Sequence, residues 1–61
     1  MKFTDKNGVF YSMIRTENET SEGAAIFKFT AWNERGQMID VGEVAANTPE
    51  EARDKILHGA R

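Results

Sequence analysis

Few side chains in this 61-residue sequence could take part in acid–base or nucleophilic chemistry. The single histidine, His58, falls in the last turn of a predicted helix, where a protonated ring interacts favourably with the helix carbonyls. There is no cysteine, so thiol catalysis, disulfides and thiolate metal sites are excluded together. The residue types therefore supply no nucleophile with an adjacent base, and we expect a protein that is not an enzyme.

The carboxylates are the only other candidates for metal binding or catalysis. Glu17, Glu19 and Glu22 lie in one polar segment, but their spacing does not match a calcium-binding loop. Asp40 and Glu43 are expected on opposite faces of one strand, where they cannot form a pair for acid–base catalysis. The sequence thus predicts no metal, no cofactor and no catalytic residues.

The length and charge of the chain limit the kinds of molecule that it is expected to bind. A chain of 61 residues predicts one domain, 1–61, and a small core whose stability a second subunit would increase. The formal net charge of −2 gives no general attraction to nucleic acid or to anionic lipid. No apolar run approaches the ~18 residues of a membrane span, and the N-terminus lacks the apolar core of a signal peptide. We expect a cytoplasmic protein that binds no membrane, of a size common among phage and mobile-element products.

The start of a C-terminal helix is indicated by Thr48-Pro49-Glu50-Glu51. This is a capping box with proline at the first helical position. It predicts a helix from Pro49 to His58, with Gly59 as its stop. The helix carries an apolar stripe for packing against a sheet, formed by Ala52, Ile56, Leu57 and Ala60.

Alternating apolar residues predict the strands that precede this helix. Ala25–Trp32 is the clearest strand, and the turn Asn33–Gly36 joins it to a second one, Gln37–Ala45. Val9–Thr16 is rich in strand-forming residues and should pair beside Ala25–Trp32. The polar segment Glu17–Gly23 is predicted to be a flexible connector.

The sequence therefore predicts an α+β domain, with a three-stranded antiparallel sheet packed on one C-terminal helix in the order β-β-β-α. The turn signal Asp5-Lys6-Asn7-Gly8 adds a short fourth strand, Lys2-Phe3-Thr4, at the N-terminus.

A single helix covers one face of a sheet, so the other face should stay open. The face expected beneath the helix carries Phe10, Ile14, Phe27, Phe29, Ile39 and Val41. The opposite face is then unusually apolar, with Val9, Val44, Thr30 and Asp40 among its residues. Its predicted partner-binding residues are Tyr11, Met13, Arg15, Ile26, Lys28, Trp32 and Met38. Large exposed apolar patches mark interaction surfaces, and Trp, Tyr, Met and Arg are enriched there.

Two hypotheses follow for the function. The first is a module that binds a protein partner or a second copy of itself as a homodimer. The second is a DNA-binding domain, for which Lys28 and Arg15 would supply phosphate contacts. The excess of acidic over basic residues favours the first.

The segment from Ile26 to Ala60 carries two motifs that bear on the second hypothesis. Val41-Gly42-Glu43-Val44 is followed by Thr48-Pro49-Glu50-Glu51-Ala52-Arg53. In order and spacing this resembles the DNA-binding domains of plant ethylene-response factors and the N-terminal arm-site-binding domains of phage and transposon integrases. The resemblance implies three strands followed by a helix, with DNA read from the open sheet face. It also implies that Arg15, Lys28, Trp32 and Arg35 contact the DNA.

Overall fold

The strands pair in the order in which they follow one another along the chain. The computed structural model describes residues 1–59, and its sheet is antiparallel with the order β1-β2-β3-β4. The elements are β1 (Lys2–Thr4), β2 (Phe10–Glu19), β3 (Ala25–Trp32), β4 (Met38–Ala46) and α1 (Pro49–Leu57). The predicted α+β class is confirmed, and Lys2–Thr4 does form a fourth strand, so the order is β-β-β-β-α.

The three hairpin turns share one hydrogen-bonding pattern. Each turn has five residues, and its first residue offers a side-chain oxygen to the backbone N–H of the fifth. The pairs are Asp5 Oδ1 with Val9 at 3.0 Å, Thr20 Oγ1 with Ala24 at 3.1 Å and Asn33 Oδ1 with Gln37 at 3.0 Å. The fourth residue is in each case a glycine with φ between 78° and 89°, a conformation that glycine adopts without strain. The side chains thus close turns whose length sets the strand register.

The predicted flexible connector Glu17–Gly23 is wrong. β2 continues to Glu19, and the chain turns tightly between Thr20 and Ala24. Arg15 pairs with Phe27 and Glu19 with Ala25, so four steps along β2 match two steps along β3. The Thr16 hydroxyl stabilises the resulting irregularity, since it donates to the Ile26 carbonyl at 2.9 Å and accepts from the Asn18 amide at 3.2 Å.

A second irregularity lies at the start of β4. Ala31 pairs with Asp40 and Trp32 pairs with Met38, so Met38 and Ile39 together stand opposite Trp32. One extra residue shifts the following side chains to the other face of the sheet. As a result Val44 and Ala46 are buried beneath the helix, whereas Val41 remains largely exposed.

The core lies between the helix and one face of the sheet. Phe29 and Met13 are its largest fully buried side chains. Phe3 and Tyr11 pack at its margin with their ring centroids 4.9 Å apart, and Tyr11 also lies 6.4 Å from Phe29. The full buried cluster is Met13, Ala25, Phe27, Phe29, Val44, Ala46, Ala52 and Ile56.

The predicted faces of β2 and β4 are therefore wrong, whereas those of β3 are confirmed. Phe27 and Phe29 lie beneath the helix as expected. The other four residues expected there are each more than half exposed: Phe10, Ile14, Ile39 and Val41. The physical cause is the register, because Tyr11 pairs with Ala31 and Met13 with Phe29, and directly paired residues share a face.

The helix begins at the residue that the capping box predicts. Thr48 Oγ1 accepts the Glu51 amide at 3.1 Å, Pro49 is the first helical residue, and His58 is the C-cap. The helix thus ends at Leu57, one residue before the predicted end. Ala52 and Ile56 are buried, while Ala60 lies outside the described residues. Among residues 1–59 no helix is long and apolar enough to cross a membrane.

The two faces of the sheet can be distinguished by truncating one methionine on each. We expect Met13→Ala to lower the free energy of unfolding by about 2–5 kcal/mol, because it leaves a cavity beside Phe29. Met38→Ala should change it by less than about 0.5 kcal/mol, because the side chain is 64% exposed. Urea unfolding at the lowest workable protein concentration measures both.

Met13→Leu is the matched control, since a change that conserves volume should cost less than about 1.5 kcal/mol and keep the fold. A larger loss of stability for Met38→Ala than for Met13→Ala would contradict the assignment of the two faces.

Asp5 makes the first turn sensitive to acid. The Val9 amide does most to hold the pKa of Asp5 below its ordinary 3.8, with the Asn7 amide and Tyr11 hydroxyl adding to it against an opposing desolvation effect. A lowered folded pKa means that this stabilisation is complete above the unfolded pKa and is lost as the pH falls through the folded value.

Asp5→Asn should remove that pH dependence and keep the turn, because Asn33 already performs the same role in the third turn. The measurement is the urea midpoint of both proteins from neutral pH down to about pH 2. The two curves should converge as the pH falls below about 4. Curves that stay parallel throughout would show that Asp5 is not held in its ionised form by these bonds.

Candidate functional site

The side of the sheet turned away from α1, here called the outer face, has no element of the chain across it among residues 1–59. At one end of this face a row of paired residues crosses all four strands. Thr4 pairs with Phe10, Phe10 with Trp32, and Trp32 with Met38. Phe10 is 52% exposed and Met38 is 64% exposed, and Trp32 between them is half-buried. The three apolar members of this aromatic row form a continuous strip across β2, β3 and β4.

Further apolar side chains continue the strip along the strands. Val41, opposite Thr30, and Ile14, opposite Lys28, are both more than half exposed. Ile26 and Ala45 form the last pair and are half-buried. The outer face is therefore more apolar than a sheet face that only contacts water needs to be.

A groove lies at the β1 side of the aromatic row. Its volume is 680 Å³, and its apolar walls include Phe10 and Trp32. Lys2, Thr4 and Ser12 complete the outer side of the groove. Phe10 stands between β1 and β3 in this row, so the groove is bounded by an aromatic ring, the short edge strand and the Lys2 side chain.

The outer face is nearly balanced in charge. Its charged residues are Lys2, Lys28 and Glu43, and Lys28 stands directly opposite Glu43 on the neighbouring strand. Opposite charges at paired positions attract each other. The other acidic residues lie mainly in the turns, at the far end of β2 and on the helix. The chain therefore carries most of its negative charge away from this face.

Both edges of the sheet are protected against pairing with another strand. β1 has three residues, which is too short for an extended ladder, and β2 beyond Met13 forms the rest of this edge. That part of β2 carries the irregularity between Arg15 and Glu19 and the charges of Arg15, Glu17 and Glu19. The β4 edge has a bulge at Met38 and Ile39, and near its other end Lys55 Nζ donates to the Ala45 carbonyl at 2.7 Å. Bulges and lysines are devices by which proteins block edge pairing. The outer face has no comparable protection within residues 1–59.

The structure divides the predicted partner-binding residues between the two sides of the sheet. Four lie on the outer face: Ile26, Lys28, Trp32 and Met38. Met13 is 1% exposed within the core, and Tyr11 packs on the helix side with its hydroxyl 3.2 Å from Asp5 Oδ2. Arg15 pairs with Phe27 and so shares the helix side, where its guanidinium lies 4.0 Å from Glu19. These three are corrections that follow from the β2 register.

Alternation within each strand does not identify three residues on which the outer face depends, namely Phe10, Ile14 and Val41. It predicts them in the core, because alternation within one strand contains no register between strands. The turn Thr20–Ala24 is the part of the sequence that indicates the register of β2 against β3. A turn of this kind makes Glu19 and Ala25 partners, which places the odd-numbered residues of β2 beside the buried residues of β3.

The candidate catalytic and metal residues are not brought together in the part of the chain that the structure describes. Within residues 1–59 no group of three or more His, Asp or Glu side chains could hold a metal ion, and no polar or charged residue is buried. Asp40 pairs with Ala31 and Glu43 with Lys28, so the two carboxylates lie on opposite faces as predicted. Glu22's own backbone amide and the Ser21 hydroxyl lower the pKa of Glu22 within its turn.

Comparisons with known proteins give no relative for this chain: no family model, no curated protein and no solved structure matches it. The resemblance to the ethylene-response-factor and integrase domains therefore stays a prediction.

Proposed function

We propose that the outer face is a protein–protein interaction surface through which two copies of the chain associate. The observation that carries the proposal is an uncovered apolar face on a sheet whose edges are short, bulged or charged. A partner that meets this sheet gains most by covering the face, where Phe10, Ile14 and Val41 hold apolar area in water.

Three residue types on this face are suited to anchor a partner. Trp32 and Phe10 are aromatic side chains that bury about 150–250 Å² each when fully covered. Met38 is flexible and polarizable, and it adapts its shape to a facing surface. Lys28 and Glu43 stand at paired positions on neighbouring strands, so a partner that covers the face meets two opposite charges close together instead of an isolated charge.

The area and charge of the face suit a second copy of the chain. Four strands about 4.8 Å apart and about six residues long cover roughly 400 Å² in projection. This is about a tenth of the 4312 Å² surface, and two copies would together bury about 800 Å², the size of a weak or transient association that forms at high protein concentration. A nearly neutral face can stack on itself without large repulsion, and a chain with so small a core is stabilised by the area that it buries.

The outer face supplies few of the groups that DNA binding requires. DNA affinity depends on several lysines and arginines that neutralise phosphates. Lys28 has Glu43 opposite it, and Arg15 lies on the helix side of the sheet. Arg35 is at the tip of the β3–β4 turn. These positions favour self-association over the DNA-binding alternative.

Substitution of exposed residues tests the proposal without removing the core. Ile14→Lys and Val41→Lys should each weaken dimerisation about tenfold or more, because the change occurs twice in a symmetric interface. Glu50→Lys, on the exposed first turn of the helix, is the matched control and should leave the dimerisation constant nearly unchanged. Sedimentation equilibrium over a concentration series measures all three, with circular dichroism to check the fold.

A wild-type protein that stays monomeric at millimolar concentration would overturn the proposal. So would a dimer that is weakened by Glu50→Lys and left intact by both substitutions on the outer face. A gel-shift titration at low salt covers the alternative, since DNA binding that Lys28→Gln abolishes in a monomeric protein would favour the nucleic-acid hypothesis.

A further inference from the structure

We infer that Met38 of each copy enters the groove of the other copy, so that two identical knob-and-groove contacts hold a symmetric, face-to-face dimer. This inference rests on the proposed self-association and adds its geometry. It identifies Met38 as the anchor and the groove beside β1, walled by Phe10 and Trp32, as the site that receives it.

The positions of knob and groove in the sheet carry the inference. The aromatic row crosses the strands in the order Thr4, Phe10, Trp32, Met38. With strands about 4.8 Å apart, β1 and β4 each lie about 7 Å from the midline between β2 and β3, on opposite sides. A two-fold axis along this midline, parallel to the strands and halfway between two stacked sheets, places β4 of one copy over β1 of the other. The same rotation keeps each residue in its row, so Met38 lies over Thr4 and the groove.

The chemistry of the two parts agrees with this arrangement. Met38 is the most exposed large apolar residue among residues 1–59, and with Ile39 it forms the β4 bulge. A thioether makes favourable contacts with aromatic rings, and the groove presents the rings of Phe10 and Trp32. Along the midline, Phe10 of each copy then lies over Trp32 of the other.

The charged residues are also complementary under the same rotation. β1 of one copy faces β4 of the other, so Lys2 lies over Val41 and one row away from Glu43 of that copy. The strands of two packed sheets cross at about 30°. Near the sheet edges, this angle displaces a row of paired residues in one copy by a few ångströms relative to the facing row in the other copy. A lysine side chain spans this offset, and two Lys2–Glu43 ion pairs would flank the dimer. Like charges do not face each other in this arrangement.

Chemical crosslinking between single-cysteine variants tests the geometry, because the chain has no cysteine of its own. Thr4→Cys and Met38→Cys are both at exposed positions. Packed sheets lie about 10 Å apart, so a bis-maleimide of that reach should link the Thr4→Cys variant to the Met38→Cys variant in an equal mixture of the two. Either variant alone should give little product, because identical positions in the two copies lie about 17 Å apart.

The outcomes separate this inference from the proposal on which it depends. A crosslinked dimer in the mixture, with each variant alone unlinked, supports the knob-and-groove contact. Efficient linking of Met38→Cys to itself, or a sedimenting dimer that gives no product in the mixture, overturns the contact and leaves the proposed self-association standing. A protein that sediments as a monomer overturns both. Because Met38→Cys removes part of the knob, Thr4→Cys should also be mixed with Ile39→Cys, at the neighbouring bulge residue, and the same product is expected.

Discussion

The register of the sheet depends on one repeated interaction, in which the side-chain oxygen of a turn's first residue accepts the amide of its fifth. Asp5, Thr20 and Asn33 each make this bond, and a glycine with positive φ completes each turn. A turn of fixed length makes the residues before and after it partners. Because side chains alternate between faces, the first two turns also decide which side chains of β1 and β2 are buried. In β4 the bulge at Met38 and Ile39 reverses the alternation that the third turn begins. The core and the outer face therefore result from the three turns together with this bulge.

The helix and the central strand could be predicted from sequence because their signals are local. The Thr48 capping box gives the first residue of the helix, and the alternation from Ala25 to Trp32 is regular enough to identify both the strand and its buried face. The faces of β2 and β4 depend on pairing between strands that are distant in sequence. Tyr11 and Phe10 are equally plausible core residues until the turn at Thr20 fixes the register. The bulge at Met38 and Ile39 has no recognisable local pattern, so the face of Val41 could not be derived from alternation.

The lack of a register in the sequence also explains which residues of the outer face could be predicted. The regular alternation of the central strand predicts that Trp32, Lys28 and Ile26 lie on the open face. Met38 was placed there as well, although the alternation from which it was derived fails one residue later. The register between β2 and β3 places Tyr11, Met13 and Arg15 on the helix side, and alternation within β2 alone does not contain that register. The expectation that one face stays uncovered does not depend on the register, because it follows from the presence of one helix and one sheet.

The bulge in β4 links the packing of the helix to the composition of the outer face. By shifting β4 one residue, it places Asp40, Gly42, Val44 and Ala46 on the helix side instead of Ile39, Val41, Glu43 and Ala45. Small residues permit close contact between helix and sheet, and Ala52 on the helix is fully buried there. The same shift turns Val41 outward and leaves Met38 and Ile39 together at the edge of the aromatic row. Without the bulge, Ile39 and Val41 would face the helix, but Glu43 would stand opposite the buried Phe27, where a charge is costly without a partner. With the bulge, the carboxylate on the helix side is that of Asp40, which is half-buried opposite Ala31 and outside the buried cluster. The bulge therefore moves the β4 carboxylate away from the centre of the core, and it exposes the apolar side chains that make the outer face suited to association.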